Sequence, residues 1–243
     1  MIAYEYPLNE KSRSYLRFEF LFTQLKKSIS FKHGNDTTVF FKALFELLEL
    51  AERSDIRHDL VKDLRVLSEQ MRGWLNYEEV DRQAVKDLIE EIDGLVQVVL
   101  CLPKQLRYFK TNRFLTSLKQ RFFIPSGTCS FDLPQFQFWL AGDVEKRKAD
   151  AQSWFSHFES LEKALTLFLK IKRSQGVATE QIANNGFYQA EVENCAFIII
   201  QVENNQAVYP VISGHKHRYS IRFMSVVTET NAQDSVSFKQ ICC

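Results

Sequence analysis

Ser174–Val202, SQGVATEQIANNGFYQAEVENCAFIIIQV, is where the chain changes character. Upstream of it apolar residues recur at helical spacing; downstream they alternate or gather in short blocks, which is strand spacing. Ser174 to Asn185 is the most polar and least periodic segment and reads as a linker. Phe187 to Val192 and Ala196 to Val202 read as strands, and the unbroken apolar run from Ala196 to Ile200 predicts the central strand of a sheet. Val208 to Ile212, His217 to Val226 and Ser235 to Ile241 follow as further strands, with Asn204-Asn205 as a hairpin turn. The predicted fold class is α+β in segregated form: a mainly helical domain over residues 1–180 and a smaller antiparallel β domain over 181–243.

Before the linker the helical signals come in series. Asn9 is placed to cap a first helix, in which Phe18, Leu21, Phe22, Leu25 and Ile29 form one stripe and Arg13 and Arg17 share another face. Asp36 is a cap for a second helix, whose broad stripe of Phe40, Ala43, Leu44, Leu47 and Leu48 predicts deep burial. Ser54 or Asp55 caps a third, with Ile56, Leu60, Leu64, Leu67 and Met71 on one side. A fourth starts near Glu79 and stops before Pro103, and a fifth carries Lys104, Arg107, Lys110 and Arg113 at every third position. After the turn Pro125-Ser126-Gly127 the aromatic alternation of QFQFWL predicts a strand over 135–140, placed to join the β domain. From Asp143 to Arg173 a single stripe of Trp154, Phe155, Phe158, Leu161, Leu165 and Phe168 predicts one helix of about 45 Å.

Composition narrows the function. With 243 residues and 45% apolar side chains the chain is long and apolar enough to bury a real core. The net charge of +1 argues against a ligand with many phosphates. Charge is nonetheless unevenly spread: acids outnumber Lys and Arg two to one from Glu46 to Asp93, whereas Gly94 to Phe131 holds six cations and no acid. The N-terminal MIAYEYPLNEK has no secretory pattern and no apolar run reaches the ~20 residues of a membrane span, so a cytoplasmic location away from the membrane is expected. Five cysteines without paired C-x-x-C spacing read as reduced thiols rather than a disulfide framework or a zinc site.

Cations concentrate in one strand-forming stretch, Tyr209 to Met224, YPVISGHKHRYSIRFM. Alternation sends Tyr219, Ile221 and Phe223 to a core and Lys216, Arg218, Ser220 and Arg222 to solvent, and no Asp or Glu occurs between Glu203 and Glu229. Such a stripe suits an anionic partner, and it equally suits a charged sheet edge. Motifs for catalysis are missing: no Walker loop, G-x-G-x-x-G turn or G-x-S-x-G elbow is present. His215 and His217 could share a metal, but no third ligand is spaced nearby, so neither a metal nor another cofactor is expected. LRYFKTNRF and KHRYSIRF together resemble a platform for single-stranded nucleic acid, the alternative function, unless Phe109 and Phe114 are core.

With PLNEKSRSYLRFEFL (Pro7–Leu21), IPSGTCSFDLP (Ile124–Pro134) and NGFYQ (Asn185–Gln189) added to the strand motif and the terminal Cys242-Cys243, the whole chain resembles the ZapD family of Z-ring-associated cell division proteins. The resemblance implies a non-enzymatic cytoplasmic homodimer at the midcell division site. It would bind the C-terminal tail of the tubulin-like FtsZ and bundle its filaments, with no nucleic acid, membrane or cofactor involved. The family's FtsZ-contacting basic residues match Arg17, Arg53, Arg113, Arg218 and Arg222. Lys216 joins them from the strand-face argument alone. At Gln137 the family pattern has a histidine instead.

Overall fold

The computed structural model describes residues 1–215 and 217–243. In chain order the elements begin with β1 (Ile2–Pro7), α1 (Glu10–Ser28), α2 (Asp36–Arg53), α3 (Ile56–Trp74) and α4 (Arg82–Leu100). They continue with α5 (Leu102–Thr111), α6 (Arg113–Phe122), α7 (Pro134–Leu140), α8 (Val144–Ser156) and α9 (Glu159–Gln175). The strands β2 (Ala178–Ala183), β3 (Phe187–Glu191), β4 (Phe197–Val202), β5 (Val208–His215), β6 (Arg218–Ser225) and β7 (Val236–Cys242) close the chain. The fold is α+β, helical in its N-terminal part and β in its C-terminal part. It packs as two compact units, Arg17–Phe168 and a second made of Met1–Leu16 with Leu169–Cys243.

The β unit holds two antiparallel sheets, one in the order β1-β4-β7-β2 and the other β3-β6-β5. One face of each contributes to a shared core that includes Ile198, Ile200 and Val202 from β4, Tyr219, Ile221 and Phe223 from β6, and Val236 and Phe238 from β7. β4 lies between β1 and β7 and is buried on both faces, as its unbroken apolar run requires. On its other face Phe197 lies under the Arg173 guanidinium, 5.8 Å from ring centre to Cζ, and Arg173 also grips Glu5 at 2.8 Å.

In the helical unit α2 is the hub. Phe40, Phe41, Ala43, Leu44, Phe45 and Leu47 are fully buried. Phe41 alone meets the rings of Phe114, Phe136, Trp139 and Trp154, edge-on or tilted, the arrangement the ring quadrupole favours. Capping behaves as the side chains dictate: Asn9 accepts from the Ser12 amide at 2.8 Å, and Asp81 from the Gln83 and Ala84 amides at 3.0 Å. Asp36 does not cap α2 directly but accepts from the His33 amide at 2.9 Å.

One buried charge sets a stability test. Glu162 is almost fully buried and accepts from Lys26 Nζ at 2.5 Å and Thr166 Oγ1 at 3.2 Å. Lys26→Met removes the charge partner and leaves the carboxylate short of a donor, which should cost about 1–3 kcal/mol in urea denaturation. Lys26→Met with Glu162→Gln should recover part of that loss, because the unpaired charge is gone. A single variant as stable as the wild type would show the pair to be a solvated contact.

Several sequence expectations are corrected. Residues 135–140 are not a strand: Pro134 starts α7, where its missing N–H costs nothing, and the relevant spacing is three. Phe136 is 6% exposed and stacks on Trp139, whereas Phe138, which strict alternation would put beside Phe136, is 81% exposed. The long helix after Asp143 breaks at His157–Phe158, where the Phe158 amide turns to the Phe155 carbonyl at 2.8 Å. The apolar stripe stays in phase across that break, so periodicity hides it. The fifth helix is likewise two, α5 and α6, divided by Asn112, whose side chain accepts from the Leu115 amide.

The expected linker contains β2, a polar edge strand paired along its length with β7. β1 was not expected at all, and it pairs residue for residue with β4. Asn204-Asn205 does not close a hairpin, because β4 and β5 belong to different sheets. Cys195 and Cys242 are paired as a disulfide, with Cα atoms 5.7 Å apart, so the reading of all five cysteines as free thiols fails for these two. Their link depends on β4 meeting β7, which spacing along the chain does not reveal.

Candidate functional site

The site is built on β6, the middle strand of the three-stranded sheet. Tyr219, Ile221 and Phe223 are buried while Arg218 and Arg222 are exposed, so the period-two reading of this strand holds side chain by side chain. The buried side anchors the strand: the Tyr219 hydroxyl donates to Gln240 Oε1, and burial pushes that hydroxyl well above the ordinary tyrosine range. Gly214 stands opposite Tyr219 on β5, and a Cβ there would come within 2.5 Å of the Tyr219 Cβ, which explains the glycine. The guanidinium groups of Arg218 and Arg222 have no ion-pair or hydrogen-bond partner among the described residues. Lys216 lies outside the described residues.

Register fills in the rest of this outer face. Directly opposed residues on antiparallel strands share a face and stand about 4.5–5.5 Å apart at Cβ. Arg222 therefore sits between Phe187 on β3 and Val211 on β5, and the next residue pair on that face is Met224 and Tyr209. Arg218 sits between Glu191 and His215. The two arginines are about 13 Å apart along the strand. Along β6 itself no acid stands near the stripe. The cross-strand partner Glu191, 27 positions upstream of Arg218, became a neighbour only through pairing.

Phe187, Val211 and Tyr209 are exposed by 46%, 49% and 38%. The outward set on β3, Phe187, Gln189 and Glu191, is the alternation that could have marked the first of them. The face is thus a cation in an apolar setting at Arg222, and a cation beside an acid at Arg218. A carboxylate can fork onto Arg222 while an apolar group lies on its flanks.

The remaining arginines belong to the helical unit. Arg17 is exposed on α1 with no partner among the described residues. Arg53 ends α2 and pairs with Glu49 one turn back. Arg113 is exposed at the first position of α6, where the free amides already carry partial positive charge, a setting that favours an anion. Glu52 draws Lys110 and Lys119 together at 3.5 and 3.7 Å beside a cleft of about 850 Å³ floored by Phe45, Leu48 and Leu106. Arg53 and Arg113 do not line that cleft.

The nucleic-acid alternative loses ground. Phe109 is buried against Phe158 and His157, and Phe114 packs on Phe41, Trp139 and Trp154, so neither ring is free to stack on a base. Among the described residues no three His, Cys, Asp or Glu side chains gather where a metal could sit, and no helix is long and apolar enough to cross a membrane.

Comparison with known proteins fits this picture. Residues 16–222 match the family model for ZapD, described as a cell division protein. The "Cell division protein ZapD" of Aliivibrio salmonicida (strain LFI1238) is 40% identical over 243 residues, which is 100% of this chain and 98% of the relative. Proteins of the same name from Aliivibrio fischeri (strain ATCC 700601 / ES114) and Vibrio parahaemolyticus serotype O3:K6 are 39% and 37% identical, covering 100% and 99% of this chain and 98% of each relative. The chain belongs to the ZapD family of cell division proteins.

Proposed function

We propose that this protein binds the C-terminal tail of FtsZ through its exposed arginines and, as a homodimer, cross-links FtsZ filaments at the midcell division site. The observation that carries this reading is the pair of unpartnered guanidinium groups on the outer face of β6, in a chain of a cell division family. Arg17, Arg53 and Arg113 of the helical unit are proposed as further contacts for the same ligand, and Lys216 belongs to the set from the sequence argument. The role needs binding only, with no catalytic step or cofactor.

Magnitudes explain why two copies are needed. An exposed ion pair contributes about 0.2–1 kcal/mol, so a single tail on a single surface is held weakly. Joining two such sites raises avidity by roughly 10² to 10⁴ with no new contact, provided both can engage at once. A filament presents many tails side by side, which is the geometry that a dimer exploits.

The test has two parts. A synthetic FtsZ tail peptide titrated into the full chain should bind with an affinity that falls as salt rises. Absence of binding at low salt would sink the proposal. Sedimentation equilibrium at micromolar concentration should give twice the 28.5 kDa of one chain. A strict monomer that still bundles filaments would require two different FtsZ sites per chain and overturn the dimer mechanism.

A further inference from the structure

The outer face of the β3-β6-β5 sheet has a polarity along β6 that charge alone does not explain. At one end Arg222 is flanked by Phe187 and Val211, with Tyr209 and Met224 in the adjoining pair. At the other, Arg218 is flanked by Glu191 and His215. A merely solvated sheet face would carry polar residues beside the cation. Here three large apolar side chains are each 38–49% exposed around one unpartnered guanidinium. Among the described residues of these three strands the one acid is Glu191, which stands opposite Arg218.

We propose that this face is the specificity-determining part of the peptide site, built for an acidic peptide that also carries apolar side chains. One carboxylate sits on Arg222 and the apolar side chains lie on Phe187, Val211 and Tyr209. Glu191 sets the register by repelling a second carboxylate from Arg218. The inference rests on the tail-binding reading above and adds which side chains of the peptide are recognised, and where. Charge complementarity selects the occupant: the face offers a forked donor with no internal acceptor at Arg222, which an acidic ligand satisfies and a basic one cannot. The apolar flanks exclude water from that ion pair and so strengthen it.

The test uses the full-length chain and a fluorescently labelled FtsZ tail peptide, with binding followed by anisotropy across a salt series. Phe187→Ala and Val211→Ser together should weaken binding by about tenfold while leaving the salt slope unchanged, because apolar area and no charge is lost. Glu191→Gln should tighten binding by about two- to fivefold and diminish discrimination against a peptide with an added acid. Melting curves matching the wild type confirm that the exposed substitutions leave the fold intact. If the wild type binds the peptide and the double variant and Glu191→Gln both bind as it does, this inference falls while the tail-binding function stands. If the wild type does not bind the peptide, the function itself falls. Binding of an oligonucleotide that displaces the peptide with the same sensitivity to Phe187→Ala would assign the face to nucleic acid and overturn the proposal.

Discussion

Ile221→Asp is expected to unfold the β unit, even though it changes one side chain on a strand whose other face is open to solvent. Ile221 is fully buried at the middle of β6, opposed by Tyr188 on β3 and Ile212 on β5, and packed in the core that β4 and β7 share. The substitution removes a branched apolar side chain, at about 2–5 kcal/mol for a comparable truncation, and puts a carboxyl group where no donor is available, at a further few kcal/mol. Stability totals of 5–15 kcal/mol are usual, so roughly half or more of the margin goes. Near-UV circular dichroism and urea denaturation should show the loss directly. Ser220→Asp, one residue away and on the outer face, should stay within about 0.5 kcal/mol of the wild type. Equal stability of the two variants would mean that β6 does not present its odd-numbered residues to a core.

That contrast was legible in the sequence because alternation on β6 is strict and both sets are chemically distinct. The same method failed at α7 for a physical reason: in QFQFWL the aromatic residues satisfy period two on paper, while the packed contacts, Phe136 and Trp139, are three apart. Edge strands were also hard to read. β2 is polar because only one of its sides is paired, and β1 is six residues long and abuts a helix. The break between α8 and α9 left no trace because neither glycine nor proline marks it and the stripe remains in phase. Most consequential for the site, the neighbours of a strand residue are set by register with other strands. Arg218 and Arg222 look equivalent along the chain, and only pairing with β3 and β5 makes one acidic-flanked and the other apolar-flanked.

Charge reversal at the two positions should therefore give unequal losses. Arg222→Glu is expected to lower single-site affinity for the FtsZ tail by at least about tenfold, because it replaces a forked donor with a carboxylate at the point where the ligand's carboxylate would sit. In the proposed mechanism bundling needs both sites of a dimer, so the loss compounds and filament cross-linking should disappear in light-scattering and pelleting assays. Arg218→Glu should cost less, since Glu191 opposite already offsets part of that cation's attraction. Arg222→Lys separates charge from geometry: it keeps the positive charge and loses the fork, and should fall between the wild type and Arg222→Glu. All three are outward-facing changes, and thermal melting should remain close to that of the wild type. The differences should shrink in high salt, where the Debye length falls to about 3 Å and long-range attraction no longer contributes. If the two reversals bind and bundle normally while folded, the basic stripe is a solvated sheet face, and the tail must be held by the arginines of the helical unit.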